Sequence, residues 1–154
     1  MRIEGSYSLH GSPENVFAAL MDAAVLVECL PGCQQLVAAG EGVYDMKMKV
    51  ALAALSGDFT GKVIMDELVP PSSYRLRVEG AGRIGFLNGQ GDLRLSAVDS
   101  SATLVAYQGE VHTGGTIAAV GQRLVDTTAR MMIRRFFEKL DTLVQAGAVS
   151  YTHL

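Results

Sequence analysis

Tyr44-Asp45-Met46-Lys47-Met48-Lys49-Val50-Ala51-Leu52 is the stretch on which the fold turns. Tyr44, Met46, Met48, Val50 and Leu52 alternate with Asp45, Lys47, Lys49 and Ala51. A period of two marks a strand with one dry and one wet face. The pattern repeats downstream. Phe59, Val63 and Met65 share a face opposite Thr60, Lys62 and Asp66. After the turn residues Pro70-Pro71-Ser72-Ser73, Tyr74, Leu76 and Val78 alternate with Arg75, Arg77 and Glu79. Leu93 and Leu95 flank Arg94, and residues 103 to 113 form a further long strand whose inward face the pattern leaves unassigned. Six or seven strands joined by short Gly, Ser and Asp turns predict an antiparallel meander, apolar on one side and charged on the other. Between two of them, residues 80 to 91 hold five glycines around Ile84-Gly85-Phe86-Leu87. This predicts a flexible turn, either packed as a hairpin or poised as a gate over the interior.

Upstream of the meander, Arg2 to His10 reads as a first strand with Ile3, Tyr7 and Leu9 on one face. Ser12-Pro13-Glu14 is a helix start: a capping serine, a proline at the first helical position and an acid in the first turn. Val16, Phe17, Leu20 and Met21 follow at helical spacing, and Asp22 opens a second short helix that Pro31-Gly32 stops. Downstream, Gly114-Gly115 separates the sheet from a proline-free segment, Thr116 to about Ala146, read as one helix on the order of 45 Å long. Ile117, Val120, Leu124 and Met131 trace its apolar stripe, and Met132, Phe136, Leu140 and Leu143 extend it after a shift of register. The expected class is α+β, a helix grip: a curved antiparallel sheet wrapped on a long C-terminal helix, with two short helices after the first strand. Residues 1–147 read as a single domain and 148–154 as a short tail with no assigned role.

Composition bounds the chemistry. The 154 residues are 49% hydrophobic and 19% charged, enough apolar material for a core. A formal charge of −3, with no basic run, disfavours nucleic acid as a partner. No stretch of about 18 apolar residues exists to span a membrane, and Met1-Arg2-Ile3-Glu4-Gly5 does not open a signal peptide. With two cysteines, Cys29 and Cys33, read as free thiols beside a turn, a cytoplasmic location is expected. Their spacing lacks the second ligand pair that zinc requires. His10, His112 and His153 fit no triad or metal motif, and Gly80-Ala81-Gly82-Arg83-Ile84-Gly85 opens no helix, so it is not a dinucleotide loop. Arg130, Arg134, Arg135 and Lys139 sit on the last helix, diluted by Glu138 and Asp141. They leave a peripheral contact with the inner face of the plasma membrane as a candidate role.

A bent sheet over one helix leaves space in the middle, and the 7 methionines suit an adaptable lining. The expected cavity residues are Phe17, Leu20, Leu30, Met46, Met48, Phe59, Val63, Leu76, Val78, Phe86, Leu93, Tyr107, Leu124, Thr128 and Met131, with Tyr44, Tyr107 or Gln108 available to orient a carbonyl. Three readings follow: a non-enzymatic carrier of an apolar molecule, a docking protein with a filled core, and an enzyme acting on an apolar substrate. The last needs an ionisable residue facing inward, for which Glu110, His112 and Arg135 are the candidates.

Three segments together carry a resemblance: Ser12-Pro13-Glu14-x-Val16-Phe17-x-Ala19-Leu20, Cys29-Leu30-Pro31-Gly32-Cys33, and Gly114-Gly115 followed by Gly121-Gln122-Arg123-Leu124 and Phe136-Phe137. The turn Asp66-Glu67-Leu68-x-Pro70-Pro71-x-Ser73-Tyr74 adds to it. From residue 1 to about 146 the chain resembles the CoxG-like family, that of the carbon monoxide dehydrogenase G subunit, within the START-like SRPBCC superfamily. The resemblance implies a helix-grip fold with a hydrophobic cavity. It also implies an accessory role beside a molybdenum-containing carbon monoxide dehydrogenase or related hydroxylase, helping that enzyme reach the membrane or its quinone acceptor. The superfamily binds lipids, sterols and polyketides. No catalytic residue is carried over. The expected ligand is a quinone or a lipid, with no tightly bound cofactor and no metal.

Overall fold

The computed structural model describes residues 1–52 and 55–147, so the tail assigned to 148–154 lies outside the described residues. The elements are β1 (Arg2–Leu9), α1 (Pro13–Leu20), α2 (Ala23–Cys29), β2 (Cys33–Gly40), β3 (Val43–Leu52), β4 (Leu55–Val69), β5 (Ser73–Gly82), β6 (Gly85–Asp99), β7 (Ala102–Gly114), α3 (Thr116–Ala119) and α4 (Gln122–Gln145). The strands form one antiparallel sheet in the order β1-β7-β6-β5-β4-β3-β2. Only β1 departs from a plain meander. The two short helices carry the chain from its end to the far edge of the sheet.

Local chemistry sets the boundaries. The Ser12 hydroxyl accepts from the Asn15 amide at 3.2 Å, and Asp22 accepts from the Ala24 amide at 2.9 Å, so each short helix has a side-chain cap. Leu30 closes α2, and Gly32, at φ +79, turns the chain into β2 where a Cβ would strike the Lys49 carbonyl.

Alternation decides what faces inward. Met46, Met48 and Val50 of β3, Phe59, Val63 and Met65 of β4, Tyr74 of β5, Leu93 and Leu95 of β6, and Val105 of β7 are all buried. The charged partners point out and pair there: Lys62 with Asp45 at 2.9 Å, Arg75 with Asp92 at 3.2 Å, and Arg77 with Asp66 at 2.9 Å. The inward face of β7, undetermined from pattern, is that of Thr103, Val105 and Tyr107. Their register against Leu9, Tyr7 and Gly5 of β1 settles it.

Two expectations are corrected. Of the two alternatives for residues 80 to 91 the structure shows the packed hairpin, with a turn much shorter than expected. β5 runs to Gly82, β6 starts at Gly85, and only Arg83-Ile84 lie outside the ladder. Glycine content suggested a turn, but a long two-sided ladder holds these glycines in strands. The C-terminal segment is not one helix either. It breaks between Val120 and Gly121, where Gly121 adopts φ +99. A φ in that region is open to glycine and cannot continue a helix. α4 is therefore 24 residues, about 36 Å at 1.5 Å per residue. It presents Val125, Thr128, Phe137, Leu140 and Val144 to the core. Carrying the phase of α3 through the break put the stripe one residue early, on Leu124 and Met131.

The C-terminal half of α4 is tied to the end of β1. The His10 backbone amide donates to an Asp141 carboxylate oxygen at 2.8 Å, and the imidazole Nδ1 lies 3.0 Å from the other oxygen. Leu9, Leu20, Val16 and Leu140 are fully buried in the core.

The corrected phase is testable by denaturant unfolding. Leu140→Ala should cost about 2–5 kcal/mol, as buried leucine truncations do. Leu124→Ala, at a side chain 41% exposed, should stay within about 0.5 kcal/mol. Equal losses would restore the single-stripe reading.

Candidate functional site

α4 crosses the inner sheet face without filling the space beneath it. Between them lies a cavity of about 310 Å3. Its cause is visible in the strands. Gly80 of β5, Gly89 and Gly91 of β6 and Gly109 of β7 line it, all at inward positions where neighbours carry Leu, Met or Val. These glycines are of two kinds. A Cβ on Gly91 would sit 2.6 Å from the Gln108 carbonyl oxygen, and one on Gly109 would collide with that of Gln90, so these strands approach too closely for any side chain. A Cβ on Gly80 would meet nothing nearer than the Leu87 carbonyl oxygen at 3.8 Å, and one on Gly89 nothing nearer than Val111 at 3.9 Å. Backbone geometry does not demand glycine at those two positions. The omitted side chains there leave open volume inside the sheet.

The walls are aliphatic and thioether. Met46, Met48, Val50, Phe59, Val63, Met65, Leu76, Val78, Leu87 and Leu93 come from the sheet, Leu30 and Pro31 from the turn after α2, and Ala129, Met132, Ile133, Phe136 and Phe137 from α4. Two hydroxyl-bearing rings join them, Tyr74 and Tyr107. Tyr107 lies over Gly5 of β1 and stacks in a group of three with Tyr7 and Phe137, the closest pair being Tyr7 and Phe137 at 4.9 Å between centroids. Burial pushes the Tyr107 hydroxyl up from the ordinary tyrosine pKa, with Arg130 pulling against it.

Of the residues expected to line a cavity, the structure brings together Leu20, Leu30, Met46, Met48, Phe59, Val63, Leu76, Val78, Leu93 and Tyr107. Five stand elsewhere. Phe17 is buried behind the cavity, edge-on to Tyr74 at 5.8 Å. Thr128 is buried but turns its hydroxyl to the Leu124 carbonyl at 2.8 Å. Met131 is half-buried and off the lining, and Leu124 is exposed, both because of the helix break. Phe86 is 42% exposed, since it follows the hairpin turn and lies against Gly114. Tyr44 does not line the cavity; Gln108 borders it, but it is exposed and sits at an outward register position of β7. Sequence reasoning passed over Tyr74, the inward glycines, and Ile133 with Phe137. An inward-reading strand that suddenly carries glycine is the signal that would have found the void.

The three candidate ionisable residues face away. Glu110 and His112 lie on the outer side of β7, two-thirds exposed and 3.5 Å from each other, and Arg135 is exposed on α4. Asp92, whose backbone reaches the cavity wall, pairs with Arg75 outside. On that outer face Arg2, Arg75, Arg77, Asp92, Glu110 and His112 border a polar groove of about 550 Å3, where Arg75 and His112 each have an acidic partner. Cys29 and Cys33 are free, and burial pushes the Cys29 thiol up to about 11, which keeps it protonated and unreactive. Among the described residues no cluster of His, Cys, Asp or Glu suits a metal ion, and no helix is long and apolar enough to cross a membrane.

The two kinds of glycine should separate on substitution. Gly89→Val should fold with a melting temperature equal to or above that of the parent, because it fills open space. Gly91→Ala should lower the melting temperature by several degrees, because the backbone must shift. Thermal unfolding followed by circular dichroism reads both. A destabilised Gly89→Val would contradict the origin of the void in omitted side chains.

Known proteins share this architecture. A conserved protein from Geobacillus kaustophilus is 31% identical over 96% of this chain and 97% of its own, with a TM-score of 0.93. A START superfamily protein from Mycobacterium smegmatis (8% identity, 94% and 97% coverage, TM-score 0.76) and the Zhui aromatase/cyclase from a Streptomyces species (12%, 100% and 99%, 0.72) share the fold. No curated protein matches the chain. The family model for the carbon monoxide dehydrogenase G subunit (CoxG) covers residues 5–145. With its START-like helix grip and the length of this match, the chain belongs to the CoxG family.

Proposed function

We propose that this protein is a non-enzymatic carrier that holds an apolar molecule, a quinone or a lipid, between its sheet and α4. In this role it assists a molybdenum carbon monoxide dehydrogenase-type oxidoreductase at the membrane. The observation that carries the reading is the apolar cavity of about 310 Å3 under α4. Its size falls at the lower end of the range of about 300–1,000 Å3 typical of small-molecule sites. Every Å2 of ligand surface removed from water contributes roughly 25 cal/mol, and methionines on both walls adapt to the shape of the guest. Family membership supports the partner. A docking protein with a filled core is less well supported, because its interior would close this space. An enzyme is less well supported too, because Glu110, His112 and Arg135 all face away from the cavity.

A membrane contact fits one corner of the molecule. Phe86 and Val120 are exposed near the meeting of the hairpin turn and α3, whose Ile117 amide donates to the Ile84 carbonyl at 2.9 Å, and Leu124 is exposed in the first turn of α4 that follows. Arg83 and Arg123 are exposed beside them in the chain. On α4, by contrast, Arg130 and Arg134 are paired with Asp126 and Glu138. In this reading the corner rests on the cytoplasmic leaflet and the protein stays peripheral.

Two measurements test the proposal. Native mass spectrometry of protein from its own source, with organic extraction, should return a stoichiometric quinone or lipid from the parent and at least tenfold less from Gly89→Val. A clean ligand-free mass, unchanged on adding quinones or phospholipids, would transfer the protein to the docking class. In flotation with anionic vesicles, a Phe86→Ser, Leu124→Ser double variant should lose most of the bound fraction. Unchanged flotation would remove that corner from the membrane contact.

A further inference from the structure

The cavity is almost without polar side chains, which makes the hydroxyl of Tyr74 conspicuous. Tyr74 lines the cavity at 4% exposure. Its ring is held edge-on by Phe17 at 5.8 Å between centroids. Among the described residues nothing hydrogen-bonds to its hydroxyl, and burial is what dominates its surroundings. The sealed, unpartnered polar atoms among the described residues are Asn15 Oδ1, Asp66 Oδ1 and Arg77 Nε; the Tyr74 hydroxyl is not one of them, so it opens onto the cavity that its residue lines. Tyr107, by contrast, is only half-buried and stacks with Tyr7 and Phe137. Phenylalanine at position 74 would pack against Phe17 equally well but would offer the cavity no donor. The hydroxyl is therefore a donor left free for a partner from outside the chain.

The surroundings specify that partner. No Lys or Arg lines the cavity, and the acidic residues whose backbone forms part of its wall, Asp92 and Glu110, direct their side chains outward. A carboxylate or phosphate brought to Tyr74 would lose its hydration with no cation to replace it. A neutral carbonyl oxygen loses far less, and a tyrosine hydroxyl donates to it well. The cavity volume of about 310 Å3 lies at the lower end of the range typical of small-molecule sites, which favours a compact guest over a two-chain lipid. On β5 Tyr74 lies six residues from Gly80, about 20 Å along the strand, so the hydroxyl marks one end of the lining and the open glycine positions the other.

We infer that Tyr74 is the polar anchor of the cavity, donating a hydrogen bond to a carbonyl oxygen of a neutral, compact apolar ligand, and that the site selects such carbonyl compounds over fatty acids and phospholipids. This inference rests on the carrier reading above and deepens it by naming the residue that orients the guest.

The test uses the whole protein and three probes: dimethylnaphthoquinone with both reactive ring positions blocked against thiol addition, dimethylnaphthalene of the same skeleton without oxygens, and octanoate. Affinities are measured by titration calorimetry on the parent and on Tyr74→Phe, with melting temperatures as the folding control. The parent should bind the quinone about five- to tenfold more tightly than the hydrocarbon, the size expected for one neutral hydrogen bond. It should bind octanoate weakest. Tyr74→Phe should erase the advantage of the quinone and leave the hydrocarbon unchanged. If both aromatic probes bind the parent and Tyr74→Phe alters neither, the anchor is overturned and the carrier stands. Tight octanoate binding overturns the selectivity. If no probe binds the parent, the carrier reading falls and the anchor falls with it.

Discussion

Everything in this molecule follows from one packing requirement: a seven-stranded sheet with a single apolar face must be covered from one side. α1 and α2 cap one end of that face, and α4 must serve the rest. A 24-residue helix is long enough to cross the sheet but only one helix wide. Curvature of the sheet toward it brings the edges into contact, β1 through the link from His10 to Asp141 and β2 through α2. The centre stays apart. Large side chains there would bridge the gap and give an ordinary core. The inward positions nearest the gap instead carry glycine, and the gap persists as a cavity.

The architecture was legible in the sequence because its signals are local and mutually consistent. Period-two alternation from Tyr44 to Leu52 identifies one strand, and the same alternation around Tyr74 and Leu93 identifies others. Ser12 and Asp22 announce their helices by the chemistry of orphan amides, and the structure shows both caps in place. Two errors came from signals whose meaning depends on distant partners. Glycine at 80, 82, 85, 89 and 91 reads locally as a turn, yet each pairs across the sheet with β4, β6 or β7 or with the other arm of its own hairpin. Gly121 reads locally as a small residue on a helix, yet its backbone is left-handed and resets the helical phase. One residue of phase moved Leu124 and Met131 off the lining and admitted Ile133.

The candidate site was legible in its aliphatic part only. Met46, Met48, Val63 and Leu76 follow from alternation, because any inward residue near the middle of the sheet must face the helix. Tyr74 reads as one of the apolar residues of its strand, and nothing in a one-dimensional pattern says that its hydroxyl lacks a partner. The void itself is written as absence of side chains at Gly80 and Gly89. Absence carries meaning only once the register of the neighbouring strands is known.

The pairing of Gly91 with Gly109 has an electrical consequence. At that point the cavity and the outer groove share the same residues, so the wall between them is a single layer of peptide backbone. Arg2, Arg75 and Arg77 on the groove side are matched in number by Glu79, Asp92 and Glu110. Their monopoles cancel, while their separated positions leave a dipolar field. Water in the groove screens that field, because these side chains are substantially exposed, but the wall adds no second layer of atoms to distance the cavity from them. The chamber is greasy in its atoms, yet a single peptide layer separates it from a wet and charged face.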